Sequence, residues 1–584
     1  MEMLWYSLLV LCVVTISTQN EDEWKLVQTA QGPVRGHKAP EGMYVFYNVP
    51  YATAPTGENK FKAPLPPPNW TEPFDATGKG VICPQATFEA LQVNTSAMQE
   101  NCLIANIYVP DTEEKNLSVM VHIHGGAFQL GAGEFKTAKN LMKSRKLIVV
   151  NFNYRLGIHG FLCLGTKDVP GNAGLKDMVA LLRWVNNNIA SFGGNPKDVT
   201  IAGYSAGAAA ADLLILSKTT KGLFQKVIVE SGSSLAEFTV QQDPIANAKM
   251  HAETLNFNNT NDIEALEKFY KTASYKTLTL DAFFARKDST FVFSACVESD
   301  TGTGEEIFLD DSPINILMSG DYEKVPMLYG FTNMEGLFRI LNFDYWSIEM
   351  NDKFSDFVPA DLIFESDEEK EKVAEQIKEF YFHEKPVGPD TVLAYVDYFT
   401  DVIFAFPALR SVKLNLNGGN NQIYLYEYSF TDDDTPLVPY TNTRGASHCA
   451  QTEAVLDGVN QLNLDEQSAS QKLAEMKKTI RELWYNFIIS GKPVPEGSTL
   501  PSWPALDVNK HPYMSLGQTL ELRNGLLTDR ATFWSKIYEK YYRKPIPPSP
   551  CLRAVAIFRM VTCKIYRNNS CGSNTCLSVI FCMR

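Results

Sequence analysis

The chain has 584 residues, of which 45% are apolar and 21% are charged. This composition is typical of a globular protein and excludes a disordered chain, a collagen and a small disulfide scaffold. The formal net charge of −14 argues against a basic surface for phosphate backbones, so we expect no nucleic-acid partner. The sequence contains neither a C-x-x-C nor an H-E-x-x-H motif, so we expect no metal site.

The N-terminus predicts a secretory signal peptide over residues 1–17. Residues 4–16 are an almost unbroken apolar run that is too short to cross a bilayer, and the small residues Thr15 and Ser17 suit cleavage near Ser17. The alternative is a buried N-terminal helix, because Glu2 precedes the apolar run and no basic residue does. The rest of the sequence predicts no segment that is long and apolar enough to span a membrane.

Sequons of the form N-x-[S/T] fit an extracellular location and predict N-glycosylation. They begin at Asn69, Asn94, Asn116, Asn258 and Asn568, of which we expect the first four to be glycosylated. The prediction is therefore a secreted glycoprotein.

From about residue 117 the chain alternates short apolar runs with longer amphipathic segments. This alternation predicts a mostly parallel α/β sheet. Residues 245–320 and 345–420 have a helical pattern and predict insertions over that sheet. The predicted strands are residues 119–123, 147–151, 199–203 and 224–230, and the predicted helices include 176–190, 208–215 and 473–489.

The C-terminal end differs in composition from the rest of the chain. A proline-rich segment begins at residue 545, and the remaining residues to Arg584 contain five cysteines, five basic residues and no acidic residue. We therefore predict one domain over residues 18–544 and an appended basic, cysteine-rich tail over residues 545–584, whose composition predicts no core element.

A G-x-S-x-G motif at residues 203–207 is centred on Ser205. It follows a predicted strand and precedes an alanine-rich helix, which is the strand–turn–helix setting of a nucleophilic serine. The motif alone is equally compatible with an ordinary glycine turn between a strand and a helix. Its context favours Ser205 as a nucleophile.

A glycine pair after an earlier strand strengthens this interpretation. Gly125 and Gly126 can present backbone N–H groups to a substrate oxygen without an intervening side chain. Together with the N–H of Ala206, they would form an oxyanion hole.

At this point the sequence resembles the type-B carboxylesterase/lipase family, which includes the cholinesterases. The resemblance runs from about Leu26 to Tyr542. It implies an α/β-hydrolase fold, with a central mostly parallel sheet flanked by helices and helical insertions over an active-site gorge. Matching segments occur in order at residues 32–36, 49–52, 100–103, 153–157, 171–177, 192–196, 230–232, 490–493 and 503–504.

The resemblance also implies the rest of a catalytic triad. Residues 330–336 look like the family's acid loop, with Glu335 as the acid, and residues 445–448 look like its histidine loop, with His448 as the base. The order Ser205, Glu335, His448 is that of an α/β-hydrolase. One departure follows the histidine, because the family usually has acidic residues where this chain has Cys449, Ala450 and Gln451.

The implied chemistry is the hydrolysis of small-molecule esters. His448 would take the Ser205 proton, Glu335 would orient the imidazole, and water would cleave the acyl-enzyme, so no cofactor is expected.

Further residue pairs are implied by the same resemblance. Cys83 and Cys102 match the family's first disulfide, whereas Cys163, Cys296 and Cys449 have no family partner and are interpreted as free buried thiols. Arg155 with Asp177 matches a buried ion pair. Lys60 stands where the family has an arginine that pairs with the position of Glu100, so we expect that pair to be weaker here.

Three other functions are alternatives to that of a general serine carboxylesterase. A cholinesterase has a glutamate before its nucleophile and a tryptophan in its first disulfide loop, whereas this chain has Tyr204 and no tryptophan between Cys83 and Cys102. A non-catalytic adhesion protein of the neuroligin kind would have lost triad residues. A juvenile hormone or odorant-degrading esterase remains open, although juvenile hormone esterases usually carry glutamine at the position of Tyr204. The sequence predicts no oligomeric state.

Overall fold

The structure is a computed structural model that describes residues 23–86, 95–143, 146–279, 286–458, 469–507 and 510–549. The predicted signal peptide, the sequons at Asn94 and Asn568, and the tail from residue 550 lie outside these residues. The glycosylation sites predicted at Asn69, Asn116 and Asn258 are exposed, and their modification stays a prediction.

The described residues form a large mixed sheet and a separate short strand pair. The strands are β1 (Trp24–Gln28), β2 (Pro33–Lys38), β3 (Met43–Pro50), β4 (Phe74–Asp75), β5 (Ile104–Pro110), β6 (Leu117–Ile123), β7 (Lys136–Thr137), β8 (Leu147–Phe152), β9 (Gly194–Tyr204), β10 (Lys226–Glu230), β11 (Met327–Thr332), β12 (Ile423–Tyr428), β13 (Asp457–Gly458), β14 (Pro512–Leu516) and β15 (Leu520–Asn524).

The sheet has a parallel middle and antiparallel ends. Its order is β1-β2-β3-β5-β8-β6-β9-β10-β11-β12-β14-β15, with β4 beside β2. All pairs from β8 to β14 are parallel, and those outside them along this order are antiparallel. This is the predicted α/β-hydrolase class of architecture. The middle strands are apolar on both faces because helices cover both sides of a parallel sheet.

Helices lie on both faces of the sheet and in the two predicted insertions. They are α1 (Lys139–Met142), α2 (Gly157–Phe161), α3 (Ala173–Asn188), α4 (Ala206–Leu216), α5 (Pro244–Thr254), α6 (Ile263–Thr272), α7 (Tyr275–Leu278), α8 (Pro313–Ser319), α9 (Phe343–Asp352), α10 (Asp367–Phe382), α11 (Val392–Thr400), α12 (Phe406–Asn417), α13 (Ala450–Val455), α14 (Gln471–Ser490) and α15 (Thr528–Tyr541).

Strand side chains alternate between two hydrophobic cores. On β6, Val119 and Val121 belong to the core that contains α3 and α4, whereas Met120 belongs to the core that contains α14. Successive side chains of a strand point to opposite faces of the sheet. Because both faces are covered by a core, the middle strands have apolar residues at consecutive positions. The helix predicted over residues 176–190 is α3, and the one predicted over 473–489 is α14.

The predicted buried ion pair is present. Arg155 Nη2 lies 2.6 Å from Asp177 Oδ1, with both side chains buried. The pair of Lys60 with Glu100 is weak, as expected: the two described side chains form no ion pair, although the charge of Glu100 still acts to raise the pKa of Lys60, against the larger lowering by burial. Lys60 donates instead to the carbonyl of Ala273. A lysine ammonium group cannot bind a carboxylate through two parallel hydrogen bonds as an arginine does. The Ala273 carbonyl can therefore compete with the Glu100 carboxylate for Lys60.

Two disulfides are present among the described cysteines. The first joins Cys83 to Cys102, and Gln85 next to it exchanges two 2.8 Å hydrogen bonds with the backbone of Gly131. The second joins Cys163 to Cys296, so the expectation that these two are free thiols is wrong. The two are 133 residues apart, and only the folding of the α5–α8 insertion onto the sheet brings them together. Cys449 is free and buried, as expected.

Within the part of the chain that the structure describes, one helical run is long and apolar enough to cross a membrane, contrary to the expectation from the sequence. It spans Pro389–Asn417 and includes α11 and α12. Because 78% of its most apolar window is buried inside the protein, contacts within the fold account for this composition.

The packed chain extends slightly past the predicted domain boundary at residue 544. Pro545 and Pro548 are buried, and the Pro548 carbonyl would lie 2.8 Å from a Cβ built on Gly165. The first residues assigned to the tail therefore belong to the folded body.

We predict that peptide mapping of the unreduced protein will recover a Cys163–Cys296 crosslink as well as Cys83–Cys102, and an alkylatable thiol at Cys449. Replacing both Cys163 and Cys296 by alanine should reduce the free energy of unfolding by about 2–4 kcal/mol, because the bond closes a long loop in the unfolded chain. Cys449→Ala is the matched control and should reduce it less. Recovery of Cys163 and Cys296 as separate alkylated peptides would contradict this pairing.

Candidate active site

Ser205 lies on a sharp turn between β9 and α4. Its backbone has φ 55° and ψ −127°, a conformation that non-glycine residues rarely adopt. The turn is held by a 2.9 Å hydrogen bond from the Ser205 N–H to the Glu230 carbonyl. A Cβ built on Gly203 would lie 2.2 Å from the Gly207 carbonyl oxygen, so only glycine permits this close approach of strand and helix. The serine side chain is thereby presented at the end of the sheet.

Glu335 follows β11 and is completely buried. Its Oε1 accepts hydrogen bonds from the Thr332 N–H at 2.7 Å and from the Ser231 hydroxyl at 2.5 Å. Its Oε2 lies 2.5 Å from His448 Nδ1. A buried carboxylate needs such donors, because without them its loss of hydration would cost several kcal/mol.

His448 lies between the acid and the serine. Its Nε2 is 2.9 Å from Ser205 Oγ, while its Nδ1 faces Glu335. If Nδ1 carries the hydrogen that Glu335 accepts, Nε2 is free to accept the hydrogen of the Ser205 hydroxyl. The structure therefore brings together Ser205, Glu335 and His448 in hydrogen-bonding order.

The glycine pair lies directly beside the nucleophile. A Cβ built on Gly125 would lie 3.0 Å from Ser205 Cβ. Gly126 has φ +112°, and a Cβ there would lie 2.0 Å from the Leu130 carbonyl oxygen. Ala206 is the first residue of α4, so its N–H is one of the unpaired donors at a helix N-terminus. All three predicted oxyanion-hole residues thus surround Ser205.

Two histidines below this loop are buried and support it without carrying charge. Burial lowers the pKa of His122 to about 3 and the pKa of His124 to about 4. The ring of His124 stacks on Tyr154 at 4.3 Å, and its Nδ1 lies 2.8 Å from the Gly125 carbonyl oxygen. The loop is therefore held by neutral groups.

Sequence reasoning missed the aromatic cover of the imidazole. The Phe404 ring stacks on His448 with 4.2 Å between centroids, and Phe338 approaches it edge-on at 5.2 Å. Phe404 belongs to a single π-helical turn, Asp401–Ala405, between α11 and α12. Such turns are rare and concentrate at functional sites, and no local pattern in the sequence indicated this one.

Three polar neighbours of the triad complete the site, of which the sequence indicated Cys449 and Gln451 only as a departure from the family and Ser231 not at all. Ser231 and Gln451 are linked to Glu335 by hydrogen bonds, and Cys449 Sγ lies 3.3 Å from His448 Nε2. The departure after His448 that the sequence had flagged is therefore in direct contact with the triad.

A cavity of about 870 Å³ opens beside His448 and the glycine pair. Its walls are mostly apolar, and charged side chains including Lys136, Asp432 and Glu453 are also among its lining residues. The apolar lining residues include Leu130, Leu337, Ile340, Tyr428, Phe430, Leu437 and Val438. Among the residues the structure describes, no group of three or more His, Cys, Asp or Glu side chains could hold a metal ion.

Comparison with known proteins identifies the family over most of the chain. The model of the carboxylesterase family matches residues 23–534. The chain is 32% identical over 559 residues to a carboxylic ester hydrolase of Bombus ignitus, covering 92% of this chain and 98% of the relative. It is 32% identical over 478 residues to a juvenile hormone esterase of Heliothis virescens, covering 79% and 84%.

A solved structure is also similar. It is the crystal structure of juvenile hormone esterase from Manduca sexta with OTFP covalently attached, with a TM-score of 0.77 and 29% sequence identity. The match covers 88% of this chain and 100% of that chain.

We predict that Gly126→Ala will lower kcat for ester hydrolysis by about 10²-fold or more, because the added Cβ must displace the loop that carries the donor groups. Gly78→Ala is the matched control, since a Cβ at Gly78 meets nothing within 4 Å, and it should leave kcat unchanged. Circular dichroism checks that both variants fold. Equal kcat values in folded Gly126→Ala and Gly78→Ala would show that this loop does not contribute to the site.

Proposed function

The chain belongs to the carboxylesterase family and is a carboxylic-ester hydrolase, and from this premise we propose that it is a secreted serine esterase that hydrolyses small apolar esters through an acyl-enzyme. The observation that carries the proposal is the position of the His448 imidazole, with Nε2 at 2.9 Å from Ser205 Oγ and Nδ1 at 2.5 Å from Glu335.

The proposed reaction starts with the attack of Ser205 Oγ on the carbonyl carbon of the ester. His448 Nε2 takes the serine proton as the new C–O bond forms. The carbonyl electron pair moves to the oxygen, where the N–H groups of Gly125, Gly126 and Ala206 would stabilise the charge. When the tetrahedral intermediate collapses, the bond to the alcohol breaks and Nε2–H protonates the leaving oxygen.

Water completes the cycle by the same route. His448 takes a proton from water while the water oxygen attacks the acyl carbon. When this second intermediate collapses, the bond from the acyl carbon to Ser205 Oγ breaks, His448 returns the proton to Oγ, and the carboxylic acid is released. Glu335 keeps its negative charge throughout and stabilises the imidazolium that forms in each half-reaction.

The cavity supports an apolar substrate. Most of its lining side chains are aliphatic or aromatic, and the floor next to the nucleophile carries the neutral phenol of Tyr204. Burial raises the pKa of Tyr204, so this group stays neutral in any physiological medium. An ester without charge can therefore enter with little electrostatic cost.

Secretion is supported by three independent features of the chain. The N-terminal apolar segment has the length of a signal peptide, two disulfides require an oxidising compartment, and three sequons are exposed.

A juvenile hormone esterase activity is the second candidate. It is favoured by the similarity to the Heliothis virescens and Manduca sexta enzymes. Tyr204 argues against it, because juvenile hormone esterases usually carry glutamine at that position.

The triad is tested by Ser205→Ala, which should lower kcat by about 10⁶-fold because the reaction loses its nucleophile. A fluorophosphonate should label Ser205 and no other serine of the native enzyme, as located by mass spectrometry. Label on another serine, with activity retained in Ser205→Ala, would exclude the proposed mechanism.

The substrate class is tested with matched neutral and cationic esters. We expect kcat/KM for 3,3-dimethylbutyl thioacetate to exceed that for acetylthiocholine by at least about tenfold, because the Cys83–Cys102 segment has no tryptophan to stack on a quaternary ammonium. The same assay with p-nitrophenyl esters of increasing acyl length ranks acyl preference. A preference for acetylthiocholine would instead support a cholinesterase.

A further inference from the structure

A buried chain of hydrogen bonds runs behind the triad, on the side of Glu335 away from the imidazole. Gln451 Nε2 donates to Ser231 Oγ at 2.7 Å, and Ser231 Oγ donates to Glu335 Oε1 at 2.5 Å. All three side chains are completely buried, so water does not compete for these groups. Ser231 follows β10, Glu335 follows β11 and Gln451 lies in α13, so the hydrogen bonds connect three elements.

The direction of this chain is set by the number of hydrogens. An ionised Glu335 can only accept, so the single hydrogen of the Ser231 hydroxyl points at Oε1. The hydroxyl oxygen then has only lone pairs left, and its second partner must be a donor. The amide of Gln451 meets this requirement, because Nε2 has two hydrogens.

A carboxylate at residue 451 would reverse this order. It would compete with Glu335 for the one Ser231 hydrogen, and one of the two buried acids would lose its donor. The amide of Gln451, which donates to Ser231 Oγ, removes that competition.

The other titratable groups around the hydrogen bonds from Gln451 through Ser231 to Glu335 favour the neutral state. Burial raises the pKa of Glu230 to about 8 and holds the pKa of Tyr426 well above its usual range. Burial likewise raises the pKa of the Cys449 thiol, with a smaller contribution from Glu335. Charged groups that act on Cys449 from further away are Glu453 and Lys136, which pair with one another. Glu335 is the carboxylate of this group that lies against both the imidazole and the Ser231 hydroxyl.

We propose that Gln451 is a positioning residue for the esterase reaction: its amide fixes the Ser231 hydroxyl as a donor to Glu335 and so holds this carboxylate against His448. The proposal rests on the proposed roles of Ser205, Glu335 and His448. Gln451 touches neither substrate nor the reacting atoms and acts through Ser231.

The first test removes the donor without changing the volume of the side chain. Gln451→Met should lower kcat about tenfold with little change in KM. A less firmly held Glu335 stabilises the imidazolium less well, and the imidazolium forms in the transition state and not when the substrate binds. Gln376→Met, an exposed position on α10, is the matched control and should leave both constants unchanged. Thermal melting and fluorophosphonate labelling establish the folded, labelled concentration of each variant.

The second test uses pH to separate positioning from packing. In Gln451→Glu, a protonated carboxyl can donate to Ser231 as the amide does, whereas an ionised one takes the Ser231 hydrogen from Glu335. We expect this variant to approach native kcat at low pH and to lose activity as pH rises through a range where the native profile is flat. A merely structural role predicts no such added pH dependence. This isosteric variant also serves if Gln451→Met does not fold.

The third test asks whether the effect passes through Ser231. In a Ser231→Ala background, Gln451→Met should cause no further loss of kcat, because the link to Glu335 is already cut. The proposal would be overturned if the losses of kcat in Ser231→Ala and Gln451→Met multiplied in the double variant. A native-like kcat and pH profile in both Gln451→Met and Gln451→Glu would also overturn it. Those results leave the triad intact, whereas retained activity in Ser205→Ala would reject the proposed function itself, so the two failures are distinguishable.

Discussion

Four neighbouring parallel strands end level at one edge of the sheet, and the whole site depends on this register. Ile123 at the end of β6 is opposite Gly203, Tyr204 at the end of β9 is opposite Glu230, and Glu230 is opposite Gly330 in β11. The glycine loop, the nucleophile, Ser231 and the acid loop therefore all leave the sheet at the same edge. A slip of one residue between any two of these strands would turn the side chains of one strand to the opposite face, and the hydrogen-bonded chain from Ser205 to Glu335 would not form.

The electrostatics of the site follow from what surrounds this edge. The buried Glu335 carboxylate is surrounded by three hydrogen-bond donors, which are the Thr332 N–H, the Ser231 hydroxyl and the imidazole. Burial lowers the pKa of His122 and of His124, so neither imidazole places a positive charge beside the glycine loop. Developing negative charge on a substrate oxygen would then be met by oriented N–H dipoles, which need no reorganisation during the reaction.

The sequence predicted the parts of this site that are encoded locally. The strand–turn–helix around Ser205 and the glycine pair have short patterns, and the resemblance supplied Glu335, His448 and the Cys83–Cys102 pair. The sequence did not predict the Cys163–Cys296 bond, because which thiols meet depends on how an insertion folds onto the sheet. It predicted a weaker Lys60–Glu100 pair but not the partner that Lys60 contacts instead, since the Ala273 carbonyl is 213 residues away. The role of Gln451 depends on a donor count at Ser231, which only the assembled structure provides.

The long apolar helical run Pro389–Asn417 is a further case in which the local sequence does not show the role of a segment. Its apolar composition follows from its position beside the active site. In α11, the Thr400 hydroxyl accepts a 2.8 Å hydrogen bond from the Gly336 N–H, directly after the acid. The π-turn that follows places Phe404 on the imidazole, and its first residue, Asp401, is bound by Arg530 at 2.6 Å. A run that must cover Glu335 and His448 from water has to be apolar on the side facing the triad and on the side facing the core. The run is therefore as apolar and as long as a membrane-spanning helix because it shields the contact between Glu335 and His448 from solvent and also packs in the core.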